Sequence, residues 1–282
     1  MLKARNQFVM NHRQAVFPRI FPTPATEQEN RVIVIGGYGR KDFAVFAAHT
    51  LTDLNFYADP TQCFPFYIYD EDGDYRRENI TDWAMDRFRT HYDDHTLTKW
   101  DIFFYVYGML HHPGYREHFV ENLKTHLPGI PLADDFRAFC LASEQLTRLH
   151  LHYEELTPYP LDWVESVDMP LSYAVEKMRL SHDKNILTVN DSLTLRNIPP
   201  EVFYYRLGNR SALEWVIDQY QVKQDKRSRI RSNPRRLEDV EYIVRLVGQV
   251  VRVSMESFAI VQGLPTEFLP SVAPASSPAT FL

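Results

Sequence analysis

The sequence predicts an α+β protein, with a sheet-rich N-terminal part, a helical middle and a mixed C-terminal part that closes on a long helix. Three observations predict it. Before residue 80, short β-branched and aromatic runs are cut by glycine and proline. Between 80 and 157, apolar residues recur at helical spacing between Pro-Gly stops. After 158, alternating segments with turn residues lead into a last amphipathic stretch. At 282 residues the chain exceeds the roughly 100–200 residues of a common domain. We divide it into parts at 1–79, 80–157 and 158–265, with a tail at 266–282.

In the first part, FPRIFPTPATEQEN is a proline-punctuated extended segment. RVIVIGGYG reads as a buried strand stopped by glycines, and DFAVFAAH and CFPFYIYDEDGDY continue as short strands with a turn at Asp72–Gly73. In the second part, Thr98 caps the helix of TKWDIFFYVYGMLHHP, and Asp101 three residues later completes a capping box. YREHFVENLKTHL is a second amphipathic helix stopped by Pro128–Gly129. DDFRAFCLASEQLTRLHLHYEEL is a third, with Phe136, Phe139, Leu146 and Leu149 on one face. In the third part LTPYPLD is a loop, and NILTVNDSLTLRNIPPEVFYYRLG gives two or three strands. SALEWVIDQY is a helix with Leu213, Trp215 and Ile217 in the core, followed by a basic loop. LEDVEYIVRLVGQVVRVSMESFAIVQGLP is the long helix, and SVAPASSPATFL is expected to be disordered.

With 44% hydrophobic and 13% aromatic residues the chain is rich enough for a sizeable core. A net charge of -6 excludes a uniformly basic, histone-like binder but leaves a local cationic patch open. Cys63 and Cys140 read as separate reduced thiols. No run approaches the about 18 apolar residues of a membrane span, and the first residues lack the apolar core of a secretory signal. The expected location is the cytoplasm, away from membranes.

Motifs of chemistry are absent. Gly36, Gly37 and Gly39 follow a strand, but a dinucleotide loop needs glycine where Asp42 stands, and strand rather than helix follows. That turn instead offers Tyr38, Arg40 and Lys41 as an outward surface. His91 and His95, and His150 and His152 beside Glu154 and Glu155, lack the H-E-x-x-H pattern of a zinc protease. There is no phosphate-binding G-x-x-x-x-G-K-[ST] loop, no G-x-S-x-G elbow, no N/D-P-P-Y/F tetrapeptide and no nuclease core. No metal or cofactor is expected in this chain.

The positive signal is KRSRIRSNPRR, residues 226–236. Lys226, Arg227, Arg229, Arg231, Arg235 and Arg236 stand there with Ser228, Ser232 and Asn233, and no acid lies among them. Arginine forks pair with phosphate oxygens or guanine edges, and six such contacts would give a log–log salt slope of roughly −5. A solvated loop paired with acids elsewhere explains the residues equally well. Lys184 and Arg210 are weaker candidates, since Arg210 could pair with an acid such as Glu214.

Five segments in order resemble one family: TQCFPFYIYD (61–70), DIFFYVYGMLHHPGYREHFVENLKTHLPGIPL (101–132), LHLHYEELTPYPL (149–161), IPPEVFYYRLGNRSALEWVIDQY (198–220) and DKRSRIRSNP (225–234). Over about residues 30–265 the chain is similar to the C-terminal specificity (target-recognition) domain of type ISP restriction–modification enzymes, bacterial proteins that combine nuclease, helicase-like ATPase, adenine methyltransferase and DNA-recognition parts. The resemblance implies a non-catalytic reader of double-stranded DNA that places a target adenine before a methyltransferase domain. S-adenosylmethionine, ATP and magnesium would then belong to the other domains. One departure stands out: the family tends to carry glycine where this chain has Arg229, followed by polar or acidic positions. Two other readings stay open, a module whose aromatic helices in 98–157 dock a methyltransferase or helicase partner, and a metal-dependent hydrolase using the histidines.

Overall fold

A computed structural model describes residues 19–36, 42–52, 61–70 and 72–269. The chain folds as two compact units, residues 2–151 with 260–282, and residues 152–259.

The first unit begins with a helix where an extended segment was expected. In α1 (Pro24–Glu29) the Thr23 hydroxyl accepts the Thr26 amide at 3.3 Å, Thr26 answers on the Thr23 backbone, and Pro24 occupies the first helical position, where no amide donor is needed. The prolines thus start a helical turn rather than preventing one. Next, β1 (Val32–Gly36) is the centre of an antiparallel sheet between β2 (Ala44–Ala48) and β3 (Gln62–Pro65), with Val34 opposite Phe46 and Cys63. All five β1 residues are buried, which is why the run is continuously apolar. Buried Asn30 ties this sheet to the following strands: its amide donates to Ile20 O and Tyr67 O, and its carbonyl accepts the Tyr67 amide at 2.9 Å. β4 (Tyr67–Ile68) and β5 (Arg77–Glu78) form a hairpin whose turn has Gly73 at φ +82°.

Helices follow. α2 (Asp82–Tyr92) is capped by Thr81 and ended by Asp93 in the left-handed region. α3 (Lys99–His111) carries the expected Thr98–Asp101 capping box. Beyond it, the single helix expected over YREHFVENLKTHL is two short ones, α4 (Pro113–His118) and α5 (Val120–Thr125), broken at Phe119. Pro113 opens α4 instead of merely ending α3, because proline suits a first helical turn. The long α6 (Phe136–Leu151) stops before residues 152–157, which turn through a short 3-10 segment at Tyr153–Glu155. α3 is buried nearly all round and packs closely on α6: a Cβ on Gly108 would lie 2.0 Å from Ser143 Oγ. Aromatic rings fill the core, with Tyr105 stacked on Phe136 at 4.9 Å and Phe66 on Trp100 at 3.6 Å. Cys140 is buried and Cys63 half-buried, both as free thiols.

The second unit holds a four-stranded antiparallel sheet in the order β6 (Asp162–Glu165), β9 (Leu193–Arg196), β8 (Leu187–Thr188), β7 (Arg179–Leu180). Then come the hairpin β10 (Arg206–Leu207) and β11 (Arg210–Ser211), α7 (Ala212–Gln219), the hairpin β12 (Lys223–Gln224) and β13 (Arg231–Ser232), and α8 (Tyr242–Gln262), of which residues 242–259 belong to this unit. α8 starts later than the sequence suggested, after Leu237–Glu241. It lies against the 154–159 segment: Gly248 has no room for a Cβ, which would meet Pro158 at 2.7 Å, and its carbonyl accepts the Tyr159 amide at 2.9 Å. None of the helices among the described residues is long and apolar enough to cross a membrane.

Candidate nucleic-acid interface

The basic segment expected as a loop is a β-hairpin. Lys223 pairs with Ser232 and Gln224 with Arg231, leaving Asp225–Ile230 as the tip. The acid just before the basic run organises that tip. Asp225 Oδ1 accepts the amides of Arg227 at 3.0 Å and Ser228 at 2.6 Å. Its backbone amide donates to Ile230 O at 3.0 Å, and its carbonyl accepts the Arg229 amide at 2.9 Å. This is the local turn that aspartate favours. Hydrogen bonds to Ser228 foremost, and to Arg227, hold the Asp225 carboxyl below the usual carboxylate range. Ser228 Oγ accepts the Ile230 amide and Gln224 Nε2 donates to Arg229 O at 3.1 Å. Arg229 sits at φ +60°, a region that costs a non-glycine residue about 1–2 kcal/mol.

The base of the hairpin is tethered. The Val222 amide donates to Glu176 O at 2.9 Å, and the Glu176 carboxylate pairs with Arg231 at 3.6 Å. Lys223 reaches Asp218 at 3.5 Å, an acid that also holds Arg210 at 3.3 Å. Asn233 accepts the Arg235 amide at 3.0 Å, and the Arg236 guanidinium lies 3.3 Å from the Tyr242 ring centroid.

These interactions sort the candidate residues. Arg231 and Arg236 have partners within the second unit, and Ser228 and Asn233 brace the chain's own turns. Lys226, Arg227, Arg229 and Arg235 are exposed and make no ion pair among the described residues. Arg210 lies over the half-buried Trp215 as well as pairing with Asp218, not with Glu214. Lys184 takes Glu214 at 2.7 Å and lies over the Phe203 ring, so it binds the start of α7 to its surroundings. Tyr38, Arg40 and Lys41 lie outside the described residues. The sequence reading missed Lys177 and Arg179, exposed cations on the strand segment that Glu176 joins to the hairpin's base, and Lys223 on β12 itself. Only the bonds that join Glu176 to the distant hairpin segment reveal the first two.

The other candidate chemistry finds structural employment. Gly36 ends a strand whose next partner runs antiparallel, unlike the strand–helix entry of a dinucleotide loop. His150 stands 2.6 Å from the Tyr107 hydroxyl, and burial pushes its pKa down to about 3. Neighbouring His111 is buried and held well below its ordinary value for the same reason. Among the described residues no three His, Cys, Asp or Glu side chains gather as a metal site.

Comparison with known proteins identifies the relatives. Curated proteins give no match. Among solved structures, the chain is 36% identical to the DrdV–DNA complex, with a TM-score of 0.79, covering 89% of this chain and 26% of that one. It is 30% identical to a nuclease-deletion mutant of the type ISP restriction–modification enzyme LlaGI in complex with a DNA substrate mimic, with a TM-score of 0.75, covering 89% and 22%. It is 28% identical to the ATP-dependent type ISP restriction–modification enzyme LlaBIII bound to DNA, with a TM-score of 0.80, covering 92% and 17%. The chain therefore spans about a quarter or less of the structures it matches. The type ISP C-terminal specificity domain matches residues 3–246, most of the chain, and this protein belongs to that family.

Proposed function

We propose that this chain recognises a sequence in double-stranded DNA for a restriction–modification enzyme, placing a target adenine before a methyltransferase domain and directing the nuclease and translocase parts. The observation that carries the reading is the β12–β13 hairpin with the residues that follow it, a braced two-stranded ribbon on an otherwise acidic protein. Four of its cations are exposed and make no ion pair among the described residues. A ribbon of this kind is narrow enough for the major groove, and free arginines supply both phosphate and base-edge contacts. In this reading the chain performs no catalysis. S-adenosylmethionine, ATP and magnesium act on other domains of the parent enzyme, and the setting is the cytoplasm.

Fluorescence anisotropy of the purified chain on a labelled duplex tests the proposal. Binding should weaken with salt. Changing Arg227 and Arg235 to Ala should weaken it further and lower the log–log slope by roughly 0.9 for each phosphate that is no longer neutralised. Absence of duplex binding at low salt would refute the reading.

One observation favours a second reading, docking of a methyltransferase or helicase partner. The β6 strand and the turn after it expose Trp163, Val164, Met169, Leu171 and Val167, the last 98% exposed. A stable complex with such a partner, without intrinsic DNA affinity, would favour it.

A further inference from the structure

We propose that Arg229 is a specificity-determining residue that reads a guanine edge, while Lys226, Arg227 and Arg235 meet phosphates. The inference rests on the duplex-binding reading and adds a role for one side chain within it.

The backbone singles out Arg229. It is the one residue of the 223–236 hairpin segment with positive φ, at +60°. Glycine adopts that conformation freely and arginine does not, so the fold alone would be better served by glycine. Strain held at a surface tip points to a side chain kept for what it contacts. The strain is also well enforced. The Arg229 amide donates to Asp225 O at 2.9 Å, and its carbonyl accepts Gln224 Nε2 at 3.1 Å.

Pinning on both sides fixes the direction in which the side chain leaves the tip. A phosphate contact does not need this, because a flexible basic stem reaches a point charge from many origins. A two-pronged contact to guanine O6 and N7 does need it, since both hydrogen bonds fail together if the fork is misdirected. The guanidinium is unspent, with no ion pair among the described residues, unlike Arg231 and Arg236. Beside it Ile230 is 69% exposed, its amide bonded to Ser228 Oγ and its carbonyl to the Asp225 amide. An apolar side chain held outward next to a free arginine suits base edges, where a thymine methyl can be covered, and is out of place on a purely phosphate-binding surface.

The test is selection of bound duplexes from a randomised library by the purified 282-residue chain, with Arg229→Lys, Arg229→Gly and Arg227→Lys compared. The wild type should select at least one guanine position. Arg229→Lys keeps the charge and loses the fork. It should cut discrimination at that position roughly tenfold or more, with the salt slope unchanged. Arg227→Lys should leave the selected sequence as it was. Arg229→Gly should abolish the preference while leaving the thermal midpoint level or higher, which separates a reading role from a structural one. The same selected sequence from Arg229→Lys, or from Arg229→Gly a uniform weakening across sequences with a slope lower by about one, overturns the proposal. Wild-type binding with no base preference overturns it too and leaves duplex binding standing. No wild-type binding at low salt removes both.

Discussion

At the scale of single residues, two titratable groups of different kinds make the same demand on pH. Asp225 is a carboxylate whose fold-made hydrogen bonds lower its pKa, so its bracing of the hairpin is complete above the ordinary carboxylate pKa and fades as pH falls through the folded value. Asp225→Asn keeps the oxygen that accepts the Arg227 and Ser228 amides but removes a negative charge beside the free arginines. We expect it to bind duplex a few-fold tighter at low salt than the wild type. Asp225→Ala, which loses the acceptor, should bind more weakly and leave the Ser228 amide exchanging faster; anisotropy and amide exchange read both. His150 behaves as a buried base. Its pKa falls to about 3 in the fold against about 6.5 when unfolded, so the unfolded chain takes up a proton first. Stability should therefore decline as pH drops below about 6.5, continuing towards 3, with buried His111 adding in the same direction. A thermal midpoint that stays level between pH 7 and 4.5 would contradict this. Arg229 belongs at this scale as well: a left-handed residue suits glycine, and arginine holds that conformation at a conformational cost.

At the scale of elements, local signals hold where a short-range hydrogen bond decides the outcome. Thr98 and Asp101 predict the start of α3 because the capping box is made within four residues. The same logic applies to Thr23 and Thr26, where counting prolines hid the cap. Close packing between elements is a different matter. Gly108 faces Ser143 and the Phe139 carbonyl where α3 meets α6, and nothing in either helix sequence pairs them. Gly108→Ala forces its methyl against Ser143 Oγ and should destabilise the chain by about 1–3 kcal/mol in urea denaturation. Ser143→Gly in the same chain should restore part of that loss. The hairpin shows both cases at once. Asp225 explains its turn locally, while the tether to Glu176 comes from a segment far away in the sequence.

At the scale of the whole molecule, charge is organised rather than balanced. The chain carries a net charge of -6, yet two acids at the hairpin's base are spent on ion pairs, Glu176 on Arg231 and Asp218 on Arg210 and Lys223. Four exposed cations without an ion pair among the described residues, Lys226, Arg227, Arg229 and Arg235, stand at the tip and just beyond the hairpin. A protein built this way should repel DNA in general and grip it at one place, so binding should track the patch and not the net charge. Lys177→Ala with Arg179→Ala tests how far that patch extends. If the strand beside the hairpin's base meets the backbone of the duplex, the pair should weaken anisotropy-measured binding on every sequence and reduce the salt slope by up to roughly 2. An unchanged slope would confine the binding surface to the hairpin.

The sequence by itself determined the α+β class, the run of helices between 80 and 157, the long last helix and the place where cations concentrate. Each follows from periodicity, caps or local composition, which a linear reading contains. The resemblance to type ISP specificity domains was legible there too, and the family match over residues 3–246 agrees with it. Only the tertiary structure decided which cations are free. Arg231, Arg236, Arg210 and Lys184 look like Arg227 and Arg229 in the sequence, but folding sets an acid or an aromatic ring against each of the four. It also decided that the basic segment is a ribbon with Arg229 strained at its tip. The physical reason is the same in both cases: ion pairs and strand pairings join residues distant along the chain, and their geometry exists only once the chain has folded.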